Sequence, residues 1–413
     1  MTKPRNGMLT ALDVGTSKIA CLVAETGAQG EVRVMGVGHH ASGGVQAGAI
    51  VNMEAAESAI LTAVSAAEER VGERLQSVVI NVSAGHPDSS NLSVEVEIDG
   101  HEVGDADLRR VYSHGLERNG HDDRELVHCI PIAHHIDGSR GIKDPRGMYG
   151  QRLSVDMHLV SADAAALRNM VTCVARCHLD VEDVVVSPYA AGLACLVEDE
   201  IDLGATVVDM GGGTTTVAVF YGGHVVHAQV VPIGGDHVTR DIARGLTTAL
   251  VHAERIKVLY GSALPSPSDD QALIDVPLVG EEDRNQPNHV PRSLVVGIIR
   301  PRLEEIFERV RACLDESPTA TLAGHRLVLT GGASQLAGAA EVGALVLNKK
   351  VRLGRPILIA GLADAVSGPA FSTAAGLLRF AAQRRGESDI AIRGTAERTG
   401  RLGRLGQWLK ESI

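Results

Sequence analysis

One short unit occurs twice in this chain, half a sequence apart, and it constrains the fold more than any other feature. An apolar run ends in an aspartate, a glycine turn follows, and a second apolar run leaves the turn. The first copy is Met8 to Asp13, then Val14-Gly15-Thr16-Ser17-Lys18, then Ile19 to Ala24. The second is Thr206 to Met210, carrying Asp209, then Gly211-Gly212-Gly213-Thr214, then Thr215 to Tyr221. A third apolar run follows each copy, at Val32 to Val37 and at Val225 to Pro232. Short apolar runs joined by glycine turns read as antiparallel strands. Two such sets predict a duplicated mixed α/β domain with a cleft between its halves.

The remaining segments fit around that frame. Glu54 to Val71 has helical spacing, with Ala55, Ala59, Ile60, Ala63 and Val64 on one face, and Ser77 to Val82 reads as a return strand. Ala84 to Ser161 is richer in His, Asp and Arg and reads as an inserted α+β subdomain. Ala162 to His178 is a predicted helix, Val181 to Val186 a buried strand, and Pro188 to Glu198 a helix with proline at its start. The expected halves are therefore 1–83 with 162–198, and 199–250 with 315–383. A small lobe spans 251–314 and includes a Pro-, Ser- and Asp-rich stretch from Ser262 to Arg292. A helix from Pro369 to Ala382 closes the body, a polar linker is expected over 384–399, and the composition changes again over 400–413.

Composition excludes several function classes. Of 413 residues, 44% are hydrophobic and 22% charged, as in a folded globular protein. Lys and Arg total 39 against 51 Asp and Glu, a net charge of −12, so nucleic acid is not an expected partner. Aromatics at 2% leave little for base stacking. Met1 to Gly7 lacks the apolar core of a signal peptide, and the apolar run Val184 to Val197 is broken by Ser187 and Pro188. Membrane contact is thus expected to be peripheral. The six cysteines form no repeated metal-ligand pattern and read as free thiols of a reducing compartment. The histidines at 114, 121, 128, 134 and 135 likewise lack a ligand spacing.

The chemistry of the repeated turn points to phosphate. Gly15 lets backbone N–H groups approach phosphate oxygens, Thr16 and Ser17 add hydroxyls, and Lys18 adds a point charge for the outer phosphates. Asp13 at the strand tip can hold Mg²⁺ through water. Asp209 with Gly211, Gly212, Gly213, Thr214 and Thr215 offers the same chemistry from the opposite half. Two such hairpins facing each other would clamp a triphosphate and its metal. Gly331, Gly332 and Ala333, after an apolar strand, are expected to open a helix near the ribose or α-phosphate. Gly234 and Gly235 precede a helix on which Glu254 and Lys257, three residues apart, can flank an adenosine.

Taken in order, these motifs resemble the actin/Hsp70/sugar-kinase ATPase superfamily, and most closely the FtsA family of actin-like bacterial cell-division proteins. The resemblance rests on Asp13-Val-Gly-Thr-Ser-Lys18, the insertion near Gly141 to Gly150, Val208-Asp-Met-Gly-Gly-Gly-Thr-Thr215, Gly234-Gly-Asp-His-Val-Thr-Arg-Asp241, Ala253-Glu-x-x-Lys257, Leu329-Thr-Gly-Gly-Ala-Ser334 and Phe371-Ser-Thr-Ala-Ala-Gly-Leu377. It covers nearly the whole chain. It implies actin-like, ribonuclease-H-like halves around a cleft for ATP and Mg²⁺. It also implies self-association into filaments, contact with other division proteins through the inserted subdomain, and attachment at midcell to the cytoplasmic face of the inner membrane. In FtsA the small lobe receives the C-terminal tail of FtsZ, and Arg302 could pair with an acidic group there. One position departs from the actin-like pattern. Ser187 stands where a Gln or Glu positions the attacking water, so ATP binding with slow or negligible hydrolysis is expected. A pilus-assembly protein of the PilM type and a sugar kinase share parts of this pattern and are the alternatives.

The C-terminal residues carry their own signal. Leu402, Leu405, Trp408, Leu409 and Ile413 recur at three- and four-residue steps, beside Arg401, Arg404 and Lys410. A helix would gather them into an apolar stripe with a basic flank, as in helices that lie in an anionic membrane surface. One copy would bind weakly, and a polymer carrying many copies would gain avidity.

Overall fold

The computed structural model describes residues 7–27, 31–118, 123–280, 288–317, 319–357 and 359–391. Three strands open the first half: β1 (Met8–Val14), β2 (Lys18–Thr26) and β3 (Val32–Ala41), paired antiparallel in chain order. A two-residue ladder, β4 (Val45–Gln46) with β5 (Ala49–Ile50), leads into α1 (Met53–Val71). Asn52 starts α1 by accepting the Ala55 amide at 3.1 Å through its side chain. β6 (Ser77–Val82) then joins β1 in parallel.

The insertion contributes β7 (Asp88–Glu97), α2 (Asp105–Arg118), β8 (Arg124–Ile136), β9 (Ser139–Ile142) and β10 (Arg152–Asp163), with sheet order β7-β10-β8-β9. Val94, Ile98, Val111, Leu153 and Met157 give it a core of its own. The chain returns through α3 (Ala164–Arg176) to β11 (Asp180–Val186), which completes the sheet β11-β6-β1-β2-β3.

After α4 (Ser187–Cys195) and α5 (Glu198–Leu203), the second half repeats the plan. β12 (Ala205–Met210), β13 (Thr215–Tyr221) and β14 (His224–Val231) pair antiparallel. Next come α6 (Gly235–Gly245), α7 (Leu250–Tyr260), the ribbon β15 (Leu273–Asp275) with β16 (His289–Pro291), and α8 (Arg292–Glu316). β17 (Arg326–Thr330) joins β12 in parallel, and after α9 (Ala339–Leu347) β18 (Lys350–Leu353) joins β17 in parallel. The order β14-β13-β12-β17-β18 matches β3-β2-β1-β6-β11 strand for strand and sense for sense. The duplication is thus one of topology as well as of motif.

The final helix, α10 (Ser372–Ala391), corrects two expectations. Sequence order assigns 315–383 to the second half, yet Ala374, Leu377, Leu378 and Ala381 of α10 pack on Leu9, Ala11, Ala20 and Leu22 of the first sheet. The alternation of strand side chains explains this. Leu12, Val14, Ile19, Cys21 and Val23 face the other way and are covered by α1 and α3, so the opposite face needs its own helix. The polar linker expected from residue 384 is helical as far as Ala391. Arg384 is tied there to Asp183 at 3.6 Å. The Ser262 to Arg292 stretch, read as loop or small lobe, includes the β15–β16 ribbon.

α4 joins the halves. Its Ala190 and Leu193 belong to the first-sheet core, and its Ala191, Ala194 and Cys195 to a core with Val207, Ala218 and Phe220. Among the described residues no helix is long and apolar enough to cross a membrane. The stripe at Arg401, Leu402, Arg404, Leu405, Trp408, Leu409 and Lys410 lies outside them.

Candidate functional site

The two acid-tipped turns are built alike. Asp13 and Val14 pair with Ala20 and Ile19, and the Gly15 amide donates to the Lys18 carbonyl at 3.1 Å. Asp209 and Met210 pair with Thr216 and Thr215, and the Gly211 amide donates to the Thr214 carbonyl at 2.8 Å. The turns meet tip to tip. A Cβ on Gly212 would lie 1.8 Å from Ser17 Oγ, so only glycine permits this approach. One on Gly213 would lie 2.6 Å from Thr16 Oγ1, which accepts the Gly48 amide at 3.1 Å.

Behind the tips lies a cleft of about 190 Å³, whose lining includes Asp13, Gly15, Thr16, Ser17, Lys18, Asp209, Gly211, Gly212 and Thr214. Gly331 and Gly332 close it from the end of β17. Gly331 has φ +87°, and a Cβ there would strike Asp209 Oδ1 at 2.2 Å. The expected α-helix at this point is instead a four-residue 3₁₀ turn, Gly332–Gln335, because Gly331 turns the chain back on itself and α9 starts only at Ala339.

Burial dominates the electrostatics. It pushes the Asp13 carboxyl up to about 7, with Asp209 adding to the rise and Lys18 opposing it. Burial also raises Asp209, against the Thr373 hydroxyl that donates to it at 2.7 Å. It lowers Lys18, against the attraction of both aspartates. Two carboxylates against one ammonium leave one excess negative charge when all three are ionised. A divalent cation would compensate it, and the Thr216 hydroxyl, buried in the cleft wall without a partner, is a free polar group facing the same space. The donor set thus fits a hydrated Mg²⁺ better than a directly ligated metal.

Lys18 is aimed differently from the expectation of an outer-phosphate charge. Its Nζ donates to the Ala370 carbonyl and sits 3.8 Å from the centroid of Phe371. It therefore ties the first hairpin to the segment that opens α10.

The proposed adenosine residues form an adjoining knot. Lys257 Nζ pairs with Glu254 at 2.6 Å and donates to Thr239 Oγ1 at 2.8 Å and the Gly235 carbonyl at 3.2 Å. A Cβ on Gly235 would lie 3.0 Å from that of Ala333, so Ala333 closes the same knot. The amides of Gly235 and Asp236 donate to the carbonyls of Gly211 and Gly212, each at 2.9 Å, and a Cβ on Gly234 would lie 2.5 Å from the latter oxygen. Glu254 and Lys257 bind each other rather than standing apart.

Two expected residues are occupied elsewhere. Thr215 turns into the core, where its hydroxyl donates to the Ile233 carbonyl at 2.7 Å. Arg302 forks onto Asp241 at 2.5 and 3.1 Å and also reaches Glu305. Any partner carboxylate must compete with that pair.

Sequence reasoning missed Asn81, Ser83, Thr216, Pro369, Ala370 and Thr373, all in the cleft wall. The available signal was polarity in apolar surroundings: Asn81 is the polar interruption between Ile80 and Val82 of β6, and Ser372-Thr373 precedes the apolar run 374–378 of α10. Of the clustered histidines, His114 is exposed and His121 lies outside the described residues; His128 accepts the Val186 amide at 3.1 Å and burial pushes its pKa down to about 3, while His134 meets Tyr112 and His135 meets Asp156.

Comparison with known proteins agrees with this architecture. The family described as "Cell division protein FtsA" matches residues 206–376, and the "SHS2 domain inserted in FTSA" matches residues 84–161. A Cell division protein FtsA of Rhizobium meliloti is 44% identical, covering 99% of this chain and 96% of that protein. Its counterpart in Pseudomonas aeruginosa is 37% identical, covering 92% and 90% respectively. Among solved structures, the PilM-PilN type IV pilus biogenesis complex aligns with a TM-score of 0.63 at 18% identity, over 90% of this chain and 97% of that one. MreB5 of Spiroplasma citri bound to ADP aligns with a TM-score of 0.54 at 13% identity, over 94% and 99%.

Proposed function

This chain belongs to the FtsA family of cell-division proteins, and from that premise we propose that it is an ATP-binding, actin-like scaffold that polymerises on the inner face of the cytoplasmic membrane and anchors FtsZ filaments at the division septum. The observation that carries the nucleotide part is the pair of matching acid-tipped hairpins meeting over one buried cleft. Backbone amides of the two turns would cradle the phosphates, and Asp13 and Asp209 would hold Mg²⁺. Bound Mg²⁺ supplies charge neutralisation for the phosphates and the two carboxylates.

With Thr16 and Ser17 already against Gly213 and Gly212, a triphosphate would have to part the tips. Its binding energy then acts on the relation between the halves. ATP works as a clamp that favours the assembly-competent state by mass action. Ser187 lines the cleft where actin-like enzymes place a carboxylate or amide, so turnover is slow.

The tail from Arg401 to Lys410 supplies membrane attachment by its apolar stripe and basic flank, which one chain makes weak and a filament makes firm. The small lobe around Arg302 receives the FtsZ tail, and the inserted subdomain serves other division proteins. The PilM structure shares the fold at 18% identity and gives no ground for a pilus role.

The test is localisation of the tagged chain in its own cell. Midcell bands that vanish when FtsZ is depleted, and release to the cytosol by Trp408→Glu, are the expected results. Diffuse signal in the wild type, or unchanged membrane retention of the variant, would remove the scaffold reading.

A further inference from the structure

Ser187 is the first residue of α4, almost fully buried, and its hydroxyl reaches the same cleft as Asp13 and Asp209. Its orientation is set by Asn81. The Oδ1 of Asn81 accepts the Val14 amide at 2.7 Å, which fixes the flip of the carboxamide. Only the Nδ2 end then faces Ser187, and it donates to Ser187 Oγ at 3.1 Å. A lone pair of the serine oxygen is thereby used, and the hydroxyl hydrogen must be given to another acceptor. The space open to it is the cleft.

That polarity has a chemical consequence. A residue that orients an attacking water accepts one of its protons, and a hydroxyl already receiving a hydrogen bond and pointing its own hydrogen outward is poorly disposed to do so. The same hydroxyl is well disposed to donate to an oxyanion.

With the adenosine placed at Glu254 and Lys257, as the nucleotide reading has it, the layout of the walls says which oxyanion this is. The knot of Gly235, Glu254, Lys257 and Ala333 belongs to the second half and is tied to Gly211 and Gly212. Ser187, Asn81 and Ser83 lie on the first-half side. A nucleotide whose sugar end sits at the knot and whose phosphates cross between the hairpins brings its last phosphoryl group to Ser187.

We infer that Ser187, held by Asn81 as a hydrogen-bond donor, recognises the terminal phosphoryl group of a nucleoside triphosphate and makes the site distinguish triphosphate from diphosphate without cleaving it. Asn81 is a positioning residue and Ser187 a specificity determinant. The inference rests on the nucleotide reading of the cleft and goes beyond it, because it assigns discrimination to one hydroxyl and explains why that hydroxyl does not serve hydrolysis.

The experiment is calorimetric titration of the full chain with Mg-ATP and, separately, Mg-ADP. Wild type is compared with Ser187→Ala, Ser187→Thr and Ser187→Cys. A hydrogen bond to a charged group is worth at least about tenfold in affinity. Ser187→Ala should therefore lose about tenfold or more in Mg-ATP affinity while Mg-ADP affinity stays within about twofold. Ser187→Thr, which keeps the donor, should restore the preference. Ser187→Cys, nearly isosteric and a weak donor, should lose it, and it serves if the alanine variant does not fold. Equal losses for both nucleotides, or no loss for either, would overturn the inference while leaving the nucleotide site intact. A wild type that binds neither nucleotide would remove the site itself and the inference with it.

Discussion

The two acid-tipped hairpins share a backbone and differ in charge. Gly15 to Lys18 and Gly211 to Thr214 close with the same amide-to-carbonyl bond, and each follows an aspartate buried at the tip of a strand. In the first hairpin the fourth turn residue is Lys18, and in the second it is Thr214. The single lysine sits near both carboxylates and grips the Ala370 carbonyl and the Phe371 ring. Asp209 has the Thr373 hydroxyl, whereas Asp13 is pushed up to about 7. The backbone cradle is therefore symmetric, and the side chains on it are not. Both sides are tied to the start of α10, the first through Lys18 and the second through Asp209, and Asp13 is the carboxyl that gives up its proton near neutrality.

The largest way to break that asymmetry is Lys18→Met. It leaves two buried like charges without a counter-charge and frees the first tip from residues 370 and 371. Removing one partner of a buried ionic group costs about 3–5 kcal/mol, so the midpoint of chemical unfolding should fall sharply. A midpoint equal to wild type would mean that Lys18 is not the shared counter-ion.

A smaller effect separates the two aspartates by pH. The folded value of Asp13 is about 7 against an ordinary 3.8, so the folded state holds the proton more tightly than the unfolded chain does. Its contribution to stability is full below the ordinary value, declines as pH rises through that window, and is flat above about 7. Asp13→Asn should remove this decline, on the order of a few kcal/mol across the window, in paired denaturation series without magnesium. Parallel pH curves for wild type and variant would contradict the assignment.

The smallest expected effect is Thr373→Val. It removes the hydroxyl on Asp209 without changing side-chain shape much and should cost about 1–3 kcal/mol, with a further rise in the Asp209 pKa. Carboxylate titration followed by NMR would show it. An unchanged Asp209 would mean that burial and Lys18 alone set its state.

How far the sequence could be read depended on the range of the interaction. Both hairpins were legible because strand, aspartate and glycine turn lie within a few residues of one another. The inserted sheet was legible as a change of composition, and residues 84–161 are also the span that the SHS2 family matches. The side of the molecule on which α10 packs was not legible, since it depends on which sheet face α1 and α3 leave open. Lys18 lines the cleft, but its contacts with Ala370 and Phe371 were not legible, because they lie 352 and more positions away. Thr215 looked like a phosphate hydroxyl, but strand alternation turns it into the core towards Ile233. Asn81 escaped notice because its two partners, Val14 and Ser187, come from distant segments.

The scaffold reading stands on both hairpins gripping a single Mg-bound triphosphate. Calorimetry of the pure chain with ATP, in the presence and absence of magnesium, tests it most directly when Asp13→Asn and Asp209→Asn are run beside wild type. One ATP per chain is expected, dependent on magnesium, with each substitution weakening uptake by about a hundredfold. Magnesium-independent uptake, or an effect confined to one of the two aspartates, would contradict it.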